Sequence, residues 1–194
     1  MEKIAVFASG NGSNAERIFE YFKDRDDVEV SLLLTNKKTA KVRERAQRFG
    51  IPVVDFNRKD FYQDQKVYHL LKDNQITFIV LAGFLWLVPD EIIHNYPNRI
   101  INIHPSLLPK YGGKGMYGSK VHQAVIDAGD KETGITIHYV NENYDDGQII
   151  FQAQCQVKEG ETAEEIAQHV HKLEHKHFPQ VIDEVIKNKS NKSL

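Results

Sequence analysis

The sequence holds one cysteine, Cys155, in 194 residues. A single thiol excludes an intramolecular disulfide and any multi-cysteine zinc site. No apolar run reaches the ~18 residues of a membrane span. The opening Met1-Glu2-Lys3-Ile4-Ala5-Val6 lacks the basic region, the apolar stretch and the small-residue cleavage site of a secretory signal. Charge imbalance is also missing. The chain has 25 Lys and Arg against 27 Asp and Glu, a formal net charge of -2. Nucleic-acid binding usually needs a strongly basic face, so that partner class is disfavoured. These absences lead to the expectation of a cytoplasmic protein that acts on small molecules, with no membrane and no nucleic-acid partner.

What is present is an ordinary globular balance, 41% apolar and 27% charged. The length suits one domain, expected over residues 1–187. The tail 188–194 has no apolar periodicity and is expected to fray. Short apolar runs at 4–8, 28–34, 53–56, 76–81, 100–104, 134–140 and 149–157 read as strands. Helical patterns fall between them at 14–23, 40–49, 61–74, a short helix opened by Pro89, 120–128, and 163–187, bent near Pro179. Strands alternating with helices predict an α/β fold. It would be a single-domain, Rossmann-like, mostly parallel sheet with helices on both faces. The last two strands, joined by a turn with Asp145-Asp146-Gly147, are expected to pair antiparallel. Ligands of such folds sit beyond the carboxyl ends of the strands.

Two strand ends stand out. Ser9-Gly10-Asn11-Gly12-Ser13-Asn14 joins the first strand to the first helix. Glycines let the backbone approach a ligand, and a helix N-terminus offers N–H groups to an anion. The plainer reading is a turn with Ser13 or Asn14 as helix cap. Gly10-x-Gly12-x-x-Ala15 fits a dinucleotide fingerprint, but Thr35-Asn36-Lys37-Lys38 stands where an acid should hold the ribose. A phosphate monoester fits better. At the second strand end, Asn102 and His104 share one face of an apolar strand that Pro105 terminates. Two polar groups there are either hydrogen-bonded core or a functional pair. Leu108-Pro109 is a candidate cis bond.

The block Asn102-Ile103-His104-Pro105-Ser106-Leu107-Leu108-Pro109 resembles the signature of folate-dependent formyltransferases. Together with the Gly12-Ser13-Asn14 loop it is similar to the branch of that family whose acceptor is 5'-phosphoribosylglycinamide. The resemblance runs over residues 3–187. It implies the formyltransferase fold and a metal-free transfer in purine biosynthesis, with 10-formyltetrahydrofolate as co-substrate. It also implies roles for particular residues. Asn102, His104 and Asp145 take the catalytic positions. Gly12, Ser13, Asn14 and Glu174 take the ribonucleotide side. Leu85, Trp86, Leu87 and Val88, with Asn141, Glu142, Asn143 and Tyr144, take the folate side.

This chain departs from the pattern in several places, among them Gln148, where many members have Pro and the family allows Gln. Trp86 stands where Arg is common. Asp146 stands where Gly or Ala is usual, and as a second carboxylate it is expected to raise the pKa of Asp145. The stretch 110–118 is unusually rich in glycine, with no role assigned. Asp145 in turn is expected to favour protonated His104. A formyltetrahydrofolate hydrolase and a non-catalytic nucleotide-binding module are the competing readings. His171-x-x-Glu174-His175 fits an inverted zinc-protease motif, but it lacks a third ligand and reads better as a solvated helix face. Monomer and homodimer are both left open.

Overall fold

The computed structural model describes residues 1–190. The chain falls into two compact units, Met1–Asn102 and the residues from Ile103 onward. Their boundary lies inside one strand.

The first unit contains β1 (Glu2–Phe7), α1 (Ser13–Phe22), β2 (Val28–Thr35), α2 (Val42–Arg48), β3 (Val53–Asp55), α3 (Arg58–Tyr62), α4 (Lys66–Asp73), β4 (Phe78–Leu81), α5 (Asp90–Asn95) and the start of β5 (Ile100–His104). Its strands run in the order β3-β2-β1-β4-β5, all pairs parallel. Ile4, Ala5, Val6, Leu33, Leu34, Phe78, Ile79 and Val80 are buried on these strands. Near-continuous apolar strands of this kind are what a sheet covered on both faces requires. Helix α1 buries Ala15, Ile18, Phe19 and Phe22, a single stripe at helical spacing. Each buried large side chain contributes roughly 1.5–3 kcal/mol.

One expected helix is two. The pattern at 61–74 breaks at Gln63–Gln65, where Gln65 takes a positive φ of 53°. Asn57 opens α3 early through a capping box with Asp60, so the first helix starts and ends sooner than apolar spacing indicates. Pro89 precedes α5 as its N-cap rather than occupying its first helical position.

The second unit contains the end of β5, then α6 (Ser119–Asp127), β6 (Glu132–Tyr139), β7 (Ile149–Gln156) and α7 (Ala163–Ser190). Strands β6 and β7 pair antiparallel from Glu132↔Gln156 to His138↔Ile149. The parallel pairings of the first unit and the antiparallel β6–β7 pairing of the second make the mixed arrangement expected from sequence. Helix α7 packs on α6, β6 and β7 through residues that include Ile166, Val170, Phe178 and Ile182. Pro179 lies within it. The helix continues to Ser190, past the end expected at Lys187. Residues 191–194 of the expected frayed tail lie outside the described residues. Among the described residues no helix is long and apolar enough to cross a membrane.

Candidate active site

In the first unit, the chain leaves β1 into the glycine loop. Gly12 is the N-cap of α1 with φ 76°, and no side chain caps the helix. Ser13 and Asn14 therefore begin the helix itself, which removes the reading of either as a mere cap. A Cβ on Gly12 would lie 2.2 Å from Val42 Cγ2, so only glycine fits this turn. Glu16 N–H donates to the Gly12 carbonyl at 2.9 Å as the first helical bond. The N–H groups of Ser13, Asn14 and Ala15 precede it and have no intrahelical acceptor. Such an end attracts anions.

The loop after β4 is braced on the same unit. Buried Ser9 accepts the Leu85 N–H at 3.2 Å. Tyr62 donates its hydroxyl to the Leu87 carbonyl at 2.8 Å. Leu85, Trp86 and Leu87 are partly exposed, whereas Val88 is buried core. Trp86 meets Phe56, Phe61, Tyr62 and Phe84 at ring separations of 5.9 to 6.3 Å. The Arg58 guanidinium lies over its face, 4.9 Å from the centroid. A cation thus stands at this edge although position 86 itself is aromatic.

Strand β5 carries Asn102, partly exposed, and His104, buried, on one face, with buried Ile101 and Ile103 on the other. Asn102 closes the first unit. The surroundings of His104 belong to the second. Its Nε2 is 2.8 Å from the Tyr111 carbonyl. A carbonyl only accepts, so Nε2 carries the proton. Its Nδ1 faces Asp145 Oδ2 at 3.4 Å. Only the imidazolium satisfies both acceptors. Burial nevertheless holds the His104 pKa below its ordinary value, outweighing Asp145 and the Tyr111 carbonyl, which raise it. Asp145 thus favours protonated His104 as expected, and burial opposes it more strongly. The Asp145 carboxylate stands as an acceptor for a proton on the Nδ1 that faces it.

Asp145 is held in the left-handed region, φ 54°. Burial pushes its carboxyl up, but the His138 ring, the charge of His104 and a bond from Gly113 N–H outweigh burial and hold it below the usual range. The Gly113 bond is 2.9 Å, and His138 Nε2 lies 3.7 Å from Oδ1. The expected raising by Asp146 is thus overturned. Asp146 Oδ2 accepts instead from the Asn141 and Asn143 amides, at 3.3 and 3.2 Å, and ties the β6–β7 loop. Asn141 and Asn143 are engaged in that knot, while Glu142 and Tyr144 are exposed beside it. The glycine-rich stretch also gains a role. A Cβ on Gly112 would come within 2.6 Å of Leu108 Cδ2 and 3.3 Å of Asp145 Cβ. Close approach here lets the Gly113 N–H reach the carboxylate.

His138, Tyr111 and Gly113 are the members of this cluster that sequence reasoning missed. A signal existed for His138. Thr136 and His138 alternate with Ile135 and Ile137 on β6, the same pattern that marked Asn102 and His104. Thr136 accepts the Leu108 N–H at 2.9 Å and donates to the Ser106 carbonyl at 2.7 Å. It fixes the turn that contains the cis Leu108-Pro109 bond. Glu174 is buried on α7, with His171 Nε2 at 3.9 Å. The His171 and His175 rings stack in parallel, 6.2 Å apart. Among the described residues no group of three or more His, Cys, Asp or Glu side chains is placed to hold a metal ion.

Residues 2–182 match the family model described as formyl transferase. A phosphoribosylglycinamide formyltransferase of Bacillus subtilis is 42% identical over 96% of this chain and 95% of its own length. The chloroplastic protein of that name from Arabidopsis thaliana is 43% identical over 93% of this chain. This chain spans 64% of that relative's length. The crystal structure of the phosphoribosylglycinamide formyltransferase from Bacillus halodurans superposes with a TM-score of 0.86 at 38% identity, covering 95% of each chain. With a family match over nearly its whole length and the same fold in a solved relative, this chain belongs to the formyl transferase family.

Proposed function

We propose that this chain is an enzyme that moves the formyl group of 10-formyltetrahydrofolate to the amine of 5'-phosphoribosylglycinamide, in the cytoplasm and in purine biosynthesis. The observation that carries the reading is the state of His104. It is a buried ring with one nitrogen on the Tyr111 carbonyl and the other 3.4 Å from the Asp145 carboxylate. Such a ring is built to receive a proton during reaction. The name shared by the relatives, phosphoribosylglycinamide formyltransferase, supports the acceptor and the group transferred, and the family resemblance supplies the folate donor.

In this reading the ribose phosphate binds at Gly12, Ser13 and Asn14, at the N-terminus of α1, and Glu174 takes the ribose side. The folate lies along Leu85, Trp86, Leu87 and Val88 and along Asn141, Glu142, Asn143 and Tyr144. The glycinamide amine attacks the formyl carbon. The Asn102 amide donates to the oxyanion that forms. Asp145 draws the amine proton through water, His104 takes that proton up and becomes the charged donor, and Asp145 stabilises the charge. The carbon–nitrogen bond to folate N10 breaks as His104 passes the same proton to N10, and the formyl group remains on the glycinamide. The chemistry uses small-molecule substrates and no metal, and it is open to a monomer or a homodimer.

The test is folate deformylation by purified protein, with and without the ribonucleotide. Deformylation that requires the ribonucleotide supports the reading. Deformylation without it moves the assignment to a hydrolase, and none in either case to a binding module.

A further inference from the structure

The glycine loop does not stand alone. Helix α2 grips it from the side, and nothing in the strand-and-helix pattern requires that grip. Arg45 on α2 donates from Nε to the Asn11 carbonyl at 2.8 Å and from Nη2 to Asn11 Oδ1 at 3.1 Å. Its Nη1 pairs with Glu16 Oε2 in the first turn of α1. The Val42 N–H donates to the Gly10 carbonyl at 3.2 Å. One guanidinium therefore ties loop backbone, loop side chain and the following helix.

The charge of Glu16 explains why this matters. A carboxylate in a first helical turn is favoured by the helix dipole. The same carboxylate repels a phosphate arriving at that helix end. Both of its oxygens are neutralised, Oε2 by Arg45 and Oε1 by Arg48 at 2.8 Å. The Arg48 side chain is 63% exposed and its pairing is screened, whereas the Arg45 and Glu16 side chains are 23% and 17% exposed. Arg45 is the stronger partner.

We infer that Arg45 is a positioning residue for phosphate recognition. It holds the Gly10–Gly12 backbone in its anion-binding shape and cancels the Glu16 charge beside it. The inference rests on the proposed role of Gly12, Ser13 and Asn14 as a phosphate cradle. Arg45 contacts no reacting atom in this scheme and acts through Asn11 and Glu16. A lysine cannot replace it, because the three bonds need the planar fork.

The test uses the whole chain carrying Arg45→Gln, Arg45→Lys and Arg45→Gln with Glu16→Gln. KM for both substrates, Kd for inorganic phosphate and Tm are measured for each. Arg45→Gln is expected to raise the ribonucleotide KM and the phosphate Kd in parallel, by roughly tenfold or more, with the folate KM unmoved. Arg45→Lys restores the charge without the fork, so it recovers part of the loss. Adding Glu16→Gln removes the bare carboxylate and also recovers part. An unchanged phosphate Kd in Arg45→Gln overturns the inference. So does an equal rise in both KM values with a lowered Tm, which marks general bracing. Phosphate binding that depends on Arg45 in a protein that transfers no formyl group would sink the proposed reaction and leave this inference standing. Formyl transfer with phosphate binding indifferent to Arg45 would do the reverse.

Discussion

The glycine loop after β1 and the histidine cluster at the end of β5 are both strand ends, and they are held by opposite means. The loop presents backbone. Its shape is set by the positive φ of Gly12, by Val42 beneath it and by charged side chains at the surface. The cluster presents side chains. His104 and His138 are buried, and each ring is fixed by a carbonyl on one nitrogen, with Asp145 between them. A backbone cradle suits a ligand that needs anchoring, because N–H groups do not titrate. A buried imidazole–carboxylate cluster suits a group that must change its charge, because burial makes its pKa depend on each neighbour.

Substitutions in the cluster test this division most severely. His104→Ala is expected to lower kcat by roughly 10²–10⁴, with Tm close to wild type. Asn102→Ala should cost about 10²–10³ in kcat. Wild-type turnover in either variant would break the assignment of chemistry to β5. His138→Gln comes next, with a kcat loss of about tenfold. The pH profile carries the sharper readout there. Asp145 is held low in part by His138, so removing that ring raises its pKa and moves the acid limb of kcat/KM to higher pH. An unmoved limb would show that His138 does not act through Asp145.

Acid should separate the two regions as well. Burial lowers the pKa of His122, on α6, to about 4 from 6.5. Between those values the unfolded chain binds a proton that the folded chain excludes, so stability falls as pH falls through that window. The loss approaches on the order of 3 kcal/mol by its lower end. Buried His104, also held low, adds in the same direction. His122→Leu should flatten the dependence of Tm on pH across this window, and it also removes a buried Nδ1 without a partner. An equally steep profile would refute the attribution. The smallest expected effect belongs to the loop. Gly12→Ala forces a Cβ against Val42 at positive φ and should cost about 1–3 kcal/mol. The ribonucleotide KM should rise and the folate KM should stay. A rise in both would show that the loop serves more than the anchor.

Much of this was readable from spacing. The apolar runs located every strand to within a few residues, because buried parallel strands leave little choice of side chain. Asn102 and His104 were visible as polar residues sharing one face of β5. His138 obeys the same rule on β6, but only the fold brings its ring to Asp145. The break at Gln63–Gln65 was hidden because apolar periodicity continues on either side of it, and only the Asn57 cap and the backbone at Gln65 reveal two helices.

By itself the sequence determined the mixed α/β pattern, the glycine loop at the first strand and the polar pair at the fifth. These follow from local periodicity and turn chemistry, which act within a few residues. Tertiary structure alone decided the downward pKa shifts of His104 and Asp145, the tying of Asp146 to two asparagines, and the hold of Arg45 on a loop 34 positions earlier in the chain. Each depends on burial and on charges distant in sequence. Desolvation and electrostatic neighbours are properties of the folded arrangement, and no spacing along the chain records them.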